Sequence, residues 1–270
     1  MNIDRLAAIL KQAAQEEIMP RFRRLDAGTI QTKSGAFDLV TEADVGAEKL
    51  IAAAINAHRP DIQVIGEEAV AANPKLLDSD FEDRIVIFVD PVDGTANFAG
   101  GLPLFAVMAS VVQNGETVAG VIYDPLGDDT VMAEKGCGAF HIFPDGRAIR
   151  QKFADPVPLS EMGGMASTMF LPMEQRSTVM GNLAKVKMLA NYRCAGHEYR
   201  YAAGGNVHFM MYAKLMPWDH VGGALIMREA GAHVAKFDGS PYRPSDLGGG
   251  LLIASDKDSW EELRHEVFAV

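Results

Sequence analysis

Apolar residues recur in the first part of the chain with the spacing of a helix. Ile3, Leu6 and Leu10 fall on one face of a predicted amphipathic helix near the start of the chain. A second helix is predicted after Thr41, which suits an N-cap because an acid follows three residues later, and Pro60 closes this helix. Both helices are expected to pack through their apolar faces.

The middle of the chain has the pattern of strands. Residues 63 to 65 predict a short strand, and residues 85 to 89 form an apolar run that is typical of a strand buried on both faces. Asn114 and Asp145, each followed by glycine, predict two hairpins. Because strands dominate from about residue 84 to 150, a mixed or antiparallel sheet is expected rather than a doubly wound parallel one.

The second half of the chain predicts further helices. One helix is expected to stop at Gly204, and another to have Asp219 as its cap and to end at Gly231. Residues 161 to 182 are rich in Met and Gly with weak periodicity, and they predict no defined element. The remaining predicted elements are strands at residues 233 to 237 and 251 to 254 and a last helix from about Lys257.

Composition and charge narrow the class of protein. The 270 residues suffice for a substantial core in one large domain or in two lobes that share a cleft. The 36 acidic and 25 basic residues give a net charge of −11, which argues against a nucleic-acid surface. An anionic substrate would therefore need metal ions to attract it. Cys137 and Cys194 are too few for a disulfide framework and lack zinc spacing, so both are interpreted as buried or incidental thiols.

The sequence carries no signal for a membrane or for export. Its apolar runs are far shorter than a membrane span, and its first residues lack a basic region followed by an apolar core. We therefore expect a soluble cytoplasmic protein whose partners include neither a membrane nor a nucleic-acid polymer.

The main chemical signal is an apolar strand that ends in acids. The stretch RIVIFVDPVDGTANF covers residues 84 to 98. Asp90 stands where the strand leaves the core, Pro91 is expected to stop the strand ladder, and Gly94 lets the backbone turn tightly. Asp90 and Asp93 are thereby held close together, and two such carboxylates repel each other unless a cation lies between them. Magnesium is the usual cation for oxygen ligands.

Further acids lie at the ends of other predicted elements. They are Asp44 in a first helical turn, Glu67 and Glu68 after a short strand, and Asp219 at a helix start. Each position also has a purely local explanation, because acids favour turns, helix N-termini and N-caps.

Three stretches resemble the signatures of the inositol monophosphatase family. They are Gly66-Glu67-Glu68, residues 90 to 98 and residues 218 to 223, in the order that the family shows. The resemblance runs from about Lys33 to the Gly231 region. It implies an α/β (α+β) fold, a layered αβαβα sandwich of the inositol monophosphatase and fructose-1,6-bisphosphatase type. The implied domain is single and covers residues 1 to 270, with lobes of roughly 1 to 145 and 146 to 270.

The resemblance implies a phosphatase site between the lobes. Such an enzyme hydrolyses a small phosphorylated substrate, depends on two or three Mg²⁺ ions and is inhibited by lithium. The first ion would be held by Glu67, Asp90 and the backbone carbonyl of Val92. The second ion would be held by Asp90, Asp93 and Asp219. A second copy of the chain is the expected partner, in a homodimer.

Further roles implied by the resemblance concern the attacking water and the phosphate. Thr95 and Glu67 would orient and deprotonate the water, and Asp44 would support Thr95. The N–H groups of Gly94 and Thr95, at a helix start, would receive phosphate oxygens.

The substrate side departs from the family. Inositol-specific members carry a serine or threonine with small residues after a glycine, and an acid about six positions before the motif tryptophan. The counterparts here are interpreted as His197, Glu198 and Tyr212. Together with Asp93 and Asp219 they form the expected substrate set. Slow hydrolysis of inositol 1-phosphate is therefore expected, with preference for a sugar phosphate, a nucleotide 3′-phosphate or histidinol phosphate.

Three other interpretations stay open. A haloacid-dehalogenase-type phosphatase would separate its two acids by one residue, whereas Pro91 and Val92 both lie between the acids here. A non-catalytic metal-binding protein of the same fold and a nuclease are the others. His220, beside Asp219, is interpreted as a surface or packing residue rather than as an acid.

Overall fold

The apolar runs pair into sheets in a computed structural model, which describes residues 2–25, 31–35, 38–79 and 81–268. The helices of these residues are α1 Ile3–Ala13, α2 Glu42–His58, α3 Glu67–Ala72, α4 Thr95–Ala99, α5 Met173–Leu183, α6 Ala195–Ala203, α7 Pro217–Glu229 and α8 Lys257–Glu266. The strands are β1 Gln31–Gly35, β2 Asp38–Val40, β3 Gln63–Gly66, β4 Ile85–Asp93, β5 Ala106–Gln113, β6 Glu116–Asp124, β7 Asp129–Glu134, β8 Gly138–Ile142, β9 Ala148–Arg150, β10 Gly163–Ala166, β11 Met188–Ala190, β12 Phe209–Tyr212, β13 His233–Lys236 and β14 Leu251–Ala254.

The larger sheet contains seven strands within the described residues, in the order β3-β4-β5-β6-β7-β8-β9. Strands β3 and β4 run parallel, and the other neighbouring pairs are antiparallel. Asn114 and Gly115 join β5 to β6 with φ of 52° and 74°, the geometry of a two-residue hairpin. The expected mixed sheet and both predicted hairpins are confirmed.

The smaller sheet contains five strands of the described part of the chain, in the order β11-β10-β12-β14-β13. Its first three strands are parallel, whereas β14 runs antiparallel to both β12 and β13. Residues 161 to 182, which predict no element from the sequence, contribute β10 and most of α5 to this half of the molecule.

Alternate side chains of each sheet enter different cores, and this alternation produces the layers. On β4, Ile87 packs in a core with α1 and α2, whereas its neighbour Phe88 packs in a core with α6 and α7. On β14, Ile253 shares that second core, whereas Leu252 packs with α5 and α8. The layers are therefore α1/α2, the larger sheet, α6/α7, the smaller sheet and α5/α8. This arrangement confirms the αβαβα sandwich.

Two local predictions are wrong. Strand β4 runs on to Asp93 instead of stopping at Pro91, because the register shifts just before Asp93 and the proline falls in the irregular part. Helix α7 begins at Pro217 with Met216 at the cap position, so Asp219 lies in the first turn and is not the cap.

The division into lobes of residues 1 to 145 and 146 to 270 within a single domain stays a prediction. Among the residues that the structure describes, no helix is both long enough and apolar enough to cross a membrane.

A close approach between glycines seats α7 on the larger sheet. A Cβ added to Gly120 of β6 would lie 2.6 Å from the carbonyl oxygen of Gly222 in α7. Backbone therefore packs directly on backbone where the helix crosses the strand. Since Asp219 lies one turn before Gly222 on α7, this contact also fixes the position of that carboxylate.

Gly120→Ala should lower the free energy of unfolding by about 1–3 kcal/mol, because the backbone of Gly222 must move to admit the methyl group. The matched control is Gly181 in α5, where the space around an added Cβ is open. Gly181→Ala should leave stability unchanged or raise it by up to about 1 kcal/mol. Urea unfolding of both variants gives the comparison. Equal stabilities would show that α7 shifts on the sheet at little cost.

Candidate active site

The parallel pairing of β3 and β4 brings two acids together. Gly66, at the end of β3, pairs with Val89 on β4, so Glu67 and Asp90 are the residues that directly follow this pair. The carboxyl ends of parallel strands meet at one edge of a sheet. Both acids therefore enter the same cavity, although they lie far apart in sequence.

Asp219 reaches the same place from α7. Carboxylate oxygens of Asp90, Asp93 and Asp219 all lie within 4.8 Å of one another. Asp90 is 2 % exposed and Asp93 is 7 % exposed. Burial raises the pKa of Asp90 and of Asp219, and the negative charges of Glu67 and Asp93 raise both pKa values further.

This donor set fits a hard divalent cation such as Mg²⁺. The candidate ligands among the cavity-lining residues are the carboxylates of Glu67, Asp90, Asp93 and Asp219, together with Val92, which lies in the irregular part of β4. Without a counter-charge, ionisation of Asp90, Asp93 and Asp219 is disfavoured, because burial raises the pKa of each. A divalent cation with oxygen ligands removes that cost.

The first residues of helix α6 hold Asp93 in place through hydrogen bonds. The carboxylate of Asp93 accepts hydrogen bonds from the N–H groups of Ala195, at 3.1 Å, and Gly196, at 2.6 Å. The thiol of Cys194 also donates to it at 2.9 Å. Burial raises the pKa of Cys194, and the nearby Asp93 charge adds to this effect, so the thiol stays protonated and can donate. The sequence interpretation of Cys194 as a buried thiol is correct but missed this contact.

Thr95 is held by a network that starts at the cap of α2. Asp44 accepts hydrogen bonds from the N–H of Thr41, at 2.8 Å, and from its hydroxyl, at 2.6 Å. The other oxygen of Asp44 lies 3.1 Å from the Thr95 hydroxyl, which is also 3.0 Å from the carbonyl oxygen of Val92. Gly94, with φ of 84°, makes the turn that places Thr95 first in α4. Asp44 therefore serves both as a capping residue and as a support for Thr95.

Thr95 and the four acids of the candidate metal centre line a cavity of about 250 Å³. Its acidic part comes from the ends of β3 and β4 and from the start of α7. Its remaining wall comes largely from the segments that follow β10, β11 and β12. Prominent side chains of that wall are Met169, Phe170, Arg193, Tyr212, Lys214 and Met216.

A family model described as the inositol monophosphatase family matches residues 2–269, nearly the whole chain. The chain belongs to this family. The resemblance of the three sequence motifs is thereby confirmed. Members are phosphomonoesterases, and this protein is therefore a hydrolase of that class.

Known relatives agree with this assignment. The fructose-1,6-bisphosphatase/inositol-1-monophosphatase of Thermotoga maritima is 31% identical over 230 residues, which cover 82% of this chain and 80% of that protein. The inositol-1-monophosphatase of Mesorhizobium japonicum is 35% identical over 229 residues, which cover 83% of this chain and 80% of the relative. Among solved structures, the Thermotoga maritima IMPase superposes with a TM-score of 0.81 at 26% identity, covering 99% of this chain and 98% of that one.

The residues expected to contact the substrate of this phosphatase do not all line the cavity. Glu198 and Tyr212 line the cavity and bond to each other, with the tyrosine hydroxyl donating to the carboxylate at 2.8 Å. Glu198 is 2 % exposed and also accepts from the N–H of Tyr192 at 2.7 Å. His197 is not among the described residues that line the cavity. Its Nε2 lies 3.1 Å from the carbonyl oxygen of Phe105, so the expectation that His197 contacts the substrate is wrong.

His220 is a packing residue, as the sequence suggests. Its Nε2 lies 3.0 Å from the carbonyl oxygen of Lys214, and its Nδ1 lies 3.1 Å from the hydroxyl of Tyr199. Burial lowers the pKa of His220 to about 3, so the ring is neutral. Because a carbonyl only accepts, Nε2 carries the proton and Nδ1 accepts from Tyr199. The ring links α6 to the segment before α7.

Glu198→Gln should make stability less dependent on pH. Burial raises the pKa of Glu198 from 4.5 to about 7, against the hydrogen bonds from Tyr192 and Tyr212. A carboxyl group with a raised pKa contributes stability that is complete below about pH 4.5 and is lost as the pH rises through about 7. Relative to the wild type, the variant should therefore gain roughly 1–3 kcal/mol of unfolding free energy between pH 4.5 and 8.

Urea unfolding of the metal-free protein across this pH range measures that gain. Glu174→Gln changes an exposed glutamate outside the cavity lining and should follow the wild-type pH profile. Parallel pH profiles for wild type and Glu198→Gln would show that Glu198 is not the titrating group.

Proposed function

We propose that this phosphatase hydrolyses a small phosphate monoester with two or three Mg²⁺ ions in the cavity. The supporting observation is the convergence of Asp90, Asp93 and Asp219, with Glu67 lining the same cavity. One ion would be held by Glu67, Asp90 and the carbonyl of Val92. A second would be held by Asp90, Asp93 and Asp219. When bound, Mg²⁺ neutralises charge on the phosphate and on the leaving oxygen.

The side chains around Thr95 would act on the attacking water. The Thr95 hydroxyl, held 3.1 Å from Asp44, would orient the water, and Glu67 would take one of its protons. The water oxygen would bond to phosphorus while the bond from phosphorus to the alcohol oxygen breaks. The leaving oxygen would then take a proton from solvent, and the alcohol and inorganic phosphate would be released. The N–H groups of Gly94 and Thr95 would receive phosphate oxygens.

The side chains expected to meet the alcohol part of the substrate disfavour inositol. The hydroxyl of Tyr212 donates a hydrogen bond to Glu198, so the tyrosine contributes an aromatic ring to the cavity wall. The carboxylate of Glu198 already accepts hydrogen bonds from Tyr212 and from the N–H of Tyr192. We therefore propose that inositol 1-phosphate is a poor substrate, and that a sugar phosphate, histidinol phosphate or nucleotide 3′-phosphate is preferred. Inhibition by lithium, a homodimer, a cytoplasmic location and the lack of a nucleic-acid partner stay predictions.

Asp90→Asn and Asp219→Asn should each lower kcat/KM for a phosphate monoester by about a thousandfold at saturating Mg²⁺, because each removes a carboxylate from the proposed metal bridge. Calorimetry should also show weaker Mg²⁺ binding. The matched control is Asp155→Asn, which alters an exposed acid paired with Lys152 and should behave as wild type. Normal turnover by Asp90→Asn would disprove the assignment. A wild-type protein that binds Mg²⁺ but releases no phosphate would instead favour the non-catalytic interpretation.

Thr95→Ala should lower kcat by about a hundredfold while leaving Mg²⁺ affinity and the fold close to wild type, because it removes the hydroxyl proposed to position water. Thr95→Ser keeps that hydroxyl beside Asp44 and should retain most of the activity. Released phosphate gives the rates, and calorimetric titration gives the Mg²⁺ affinity. If Thr95 only ties α4 to Asp44, the alanine variant would lose about 1 kcal/mol of stability and little turnover.

A further inference from the structure

Three parallel strands of the smaller sheet end at the cavity. Strand β10 lies between β11 and β12 and pairs in parallel with both, with Gly164 opposite Leu189 on one side and Phe209 on the other. Their carboxyl ends therefore meet at one edge, which is where open sheets bind ligands. Cavity-lining side chains come from the segments after these strands, within residues 167–170, 191–193 and 213–214.

Two of these segments carry positive charge. Arg193 and Lys214 are the lysine and arginine side chains among the described residues that line the cavity. The acids of the candidate metal centre come instead from the ends of β3 and β4 and from the start of α7. Acids and cations thus enter the cavity from different elements of the fold.

The backbone around both cations is held by hydrogen bonds. The N–H of Tyr192, just before Arg193, donates to Glu198 at 2.7 Å, which ties this segment to α6. The carbonyl oxygen of Lys214 is bonded to His220 at 3.0 Å, which ties that segment to α7. The backbone that carries the two cations is therefore held in place, while both side chains are exposed to solvent.

Lys214 lies over an aromatic ring at the opening of the cavity. Its Nζ is 5.4 Å from the centroid of Phe170, a cavity-lining residue that is 55 % exposed. An apolar face beside a cation suits a carbon skeleton that ends in an anionic group. A neutral alcohol would gain little from these cations, whereas an anionic one would be attracted by both.

We propose that Arg193 and Lys214 form a subsite for a second anionic group on the substrate. The preferred phosphate monoester then carries a carboxylate or a further phosphate on its alcohol part, and the cations select for that group. The inference rests on the proposed function, because it concerns the alcohol part of the same substrate.

The test uses substrate pairs that differ in the second anion alone, assayed by phosphate release with the full chain and Mg²⁺. Glycerol 2-phosphate and 2-phosphoglycerate differ in a carboxylate near the phosphate. Sorbitol 6-phosphate and 6-phosphogluconate differ in a carboxylate at the far end of the molecule. Fructose 1-phosphate and fructose 1,6-bisphosphate differ in a second phosphate. In at least one pair, kcat/KM should be about tenfold or more higher for the anionic member.

Lys214→Gln and Arg193→Gln should each lower that ratio by about tenfold, because each removes one charge-assisted contact. Lys214→Arg keeps the charge and should keep most of the ratio. Lys75→Gln removes an exposed lysine that does not line the cavity, and the wild-type ratio should persist. Raising the salt concentration should lower the wild-type ratio, since the attraction is electrostatic.

The outcomes separate this inference from the proposed function. A wild-type ratio near one in all three pairs, or a ratio that both glutamine variants preserve, would overturn the subsite while leaving the phosphatase assignment intact. Release of phosphate from histidinol phosphate or a nucleotide 3′-phosphate but from none of the six compounds would overturn the subsite alone. Failure of the wild type on all of these compounds would contradict the proposed function and the subsite with it.

Discussion

The repulsion among buried carboxylates is the constraint on which the rest of the structure depends. Carboxylate oxygens of Asp90, Asp93 and Asp219 lie within 4.8 Å of one another, and Asp90 and Asp93 are buried from solvent. Removing the hydration of such groups is costly, and their mutual repulsion adds to the cost. Without a counter-charge, part of the cost is avoided by protonation, which is the physical meaning of the raised pKa values of Asp90 and Asp219. The same cost makes the site well suited to a divalent cation.

Elements whose positions are fixed by packing hold these repelling groups together. Asp90 lies within β4, after a stretch of that strand that is buried on both faces, and Asp219 lies on a helix that packs on β6 through the contact between Gly120 and Gly222. Asp93 accepts two N–H groups at the start of α6, where the helix dipole also favours negative charge. The free energy that keeps the acids close therefore comes from the cores on either side of the larger sheet and not from the site itself.

Local pattern indicates candidate residues for the site, but not how they come together. Glu67 and Asp90 are recognisable because each follows an apolar strand, yet their proximity depends on parallel pairing of β3 and β4. An apolar run does not distinguish a parallel from an antiparallel neighbour. The contact between Cys194 and Asp93 spans 101 residues and leaves no periodic trace in the sequence. His197 was assigned by residue type next to a glycine, and only the fold shows that its ring is bonded to the backbone of Phe105.

In the proposed function, the two sheets would contact different ends of the substrate. The larger sheet with α7 supplies the acids that would hold the metal ions for the phosphate, and the smaller sheet supplies the wall that would meet the alcohol. A net charge of −11 disfavours the approach of an anionic substrate, so local positive charge near the cavity would favour its binding there. Arg193 and Lys214 place such charge on the wall of the smaller sheet. Residues in these segments can therefore change the alcohol that is accepted without displacing the carboxylates on the larger sheet and α7.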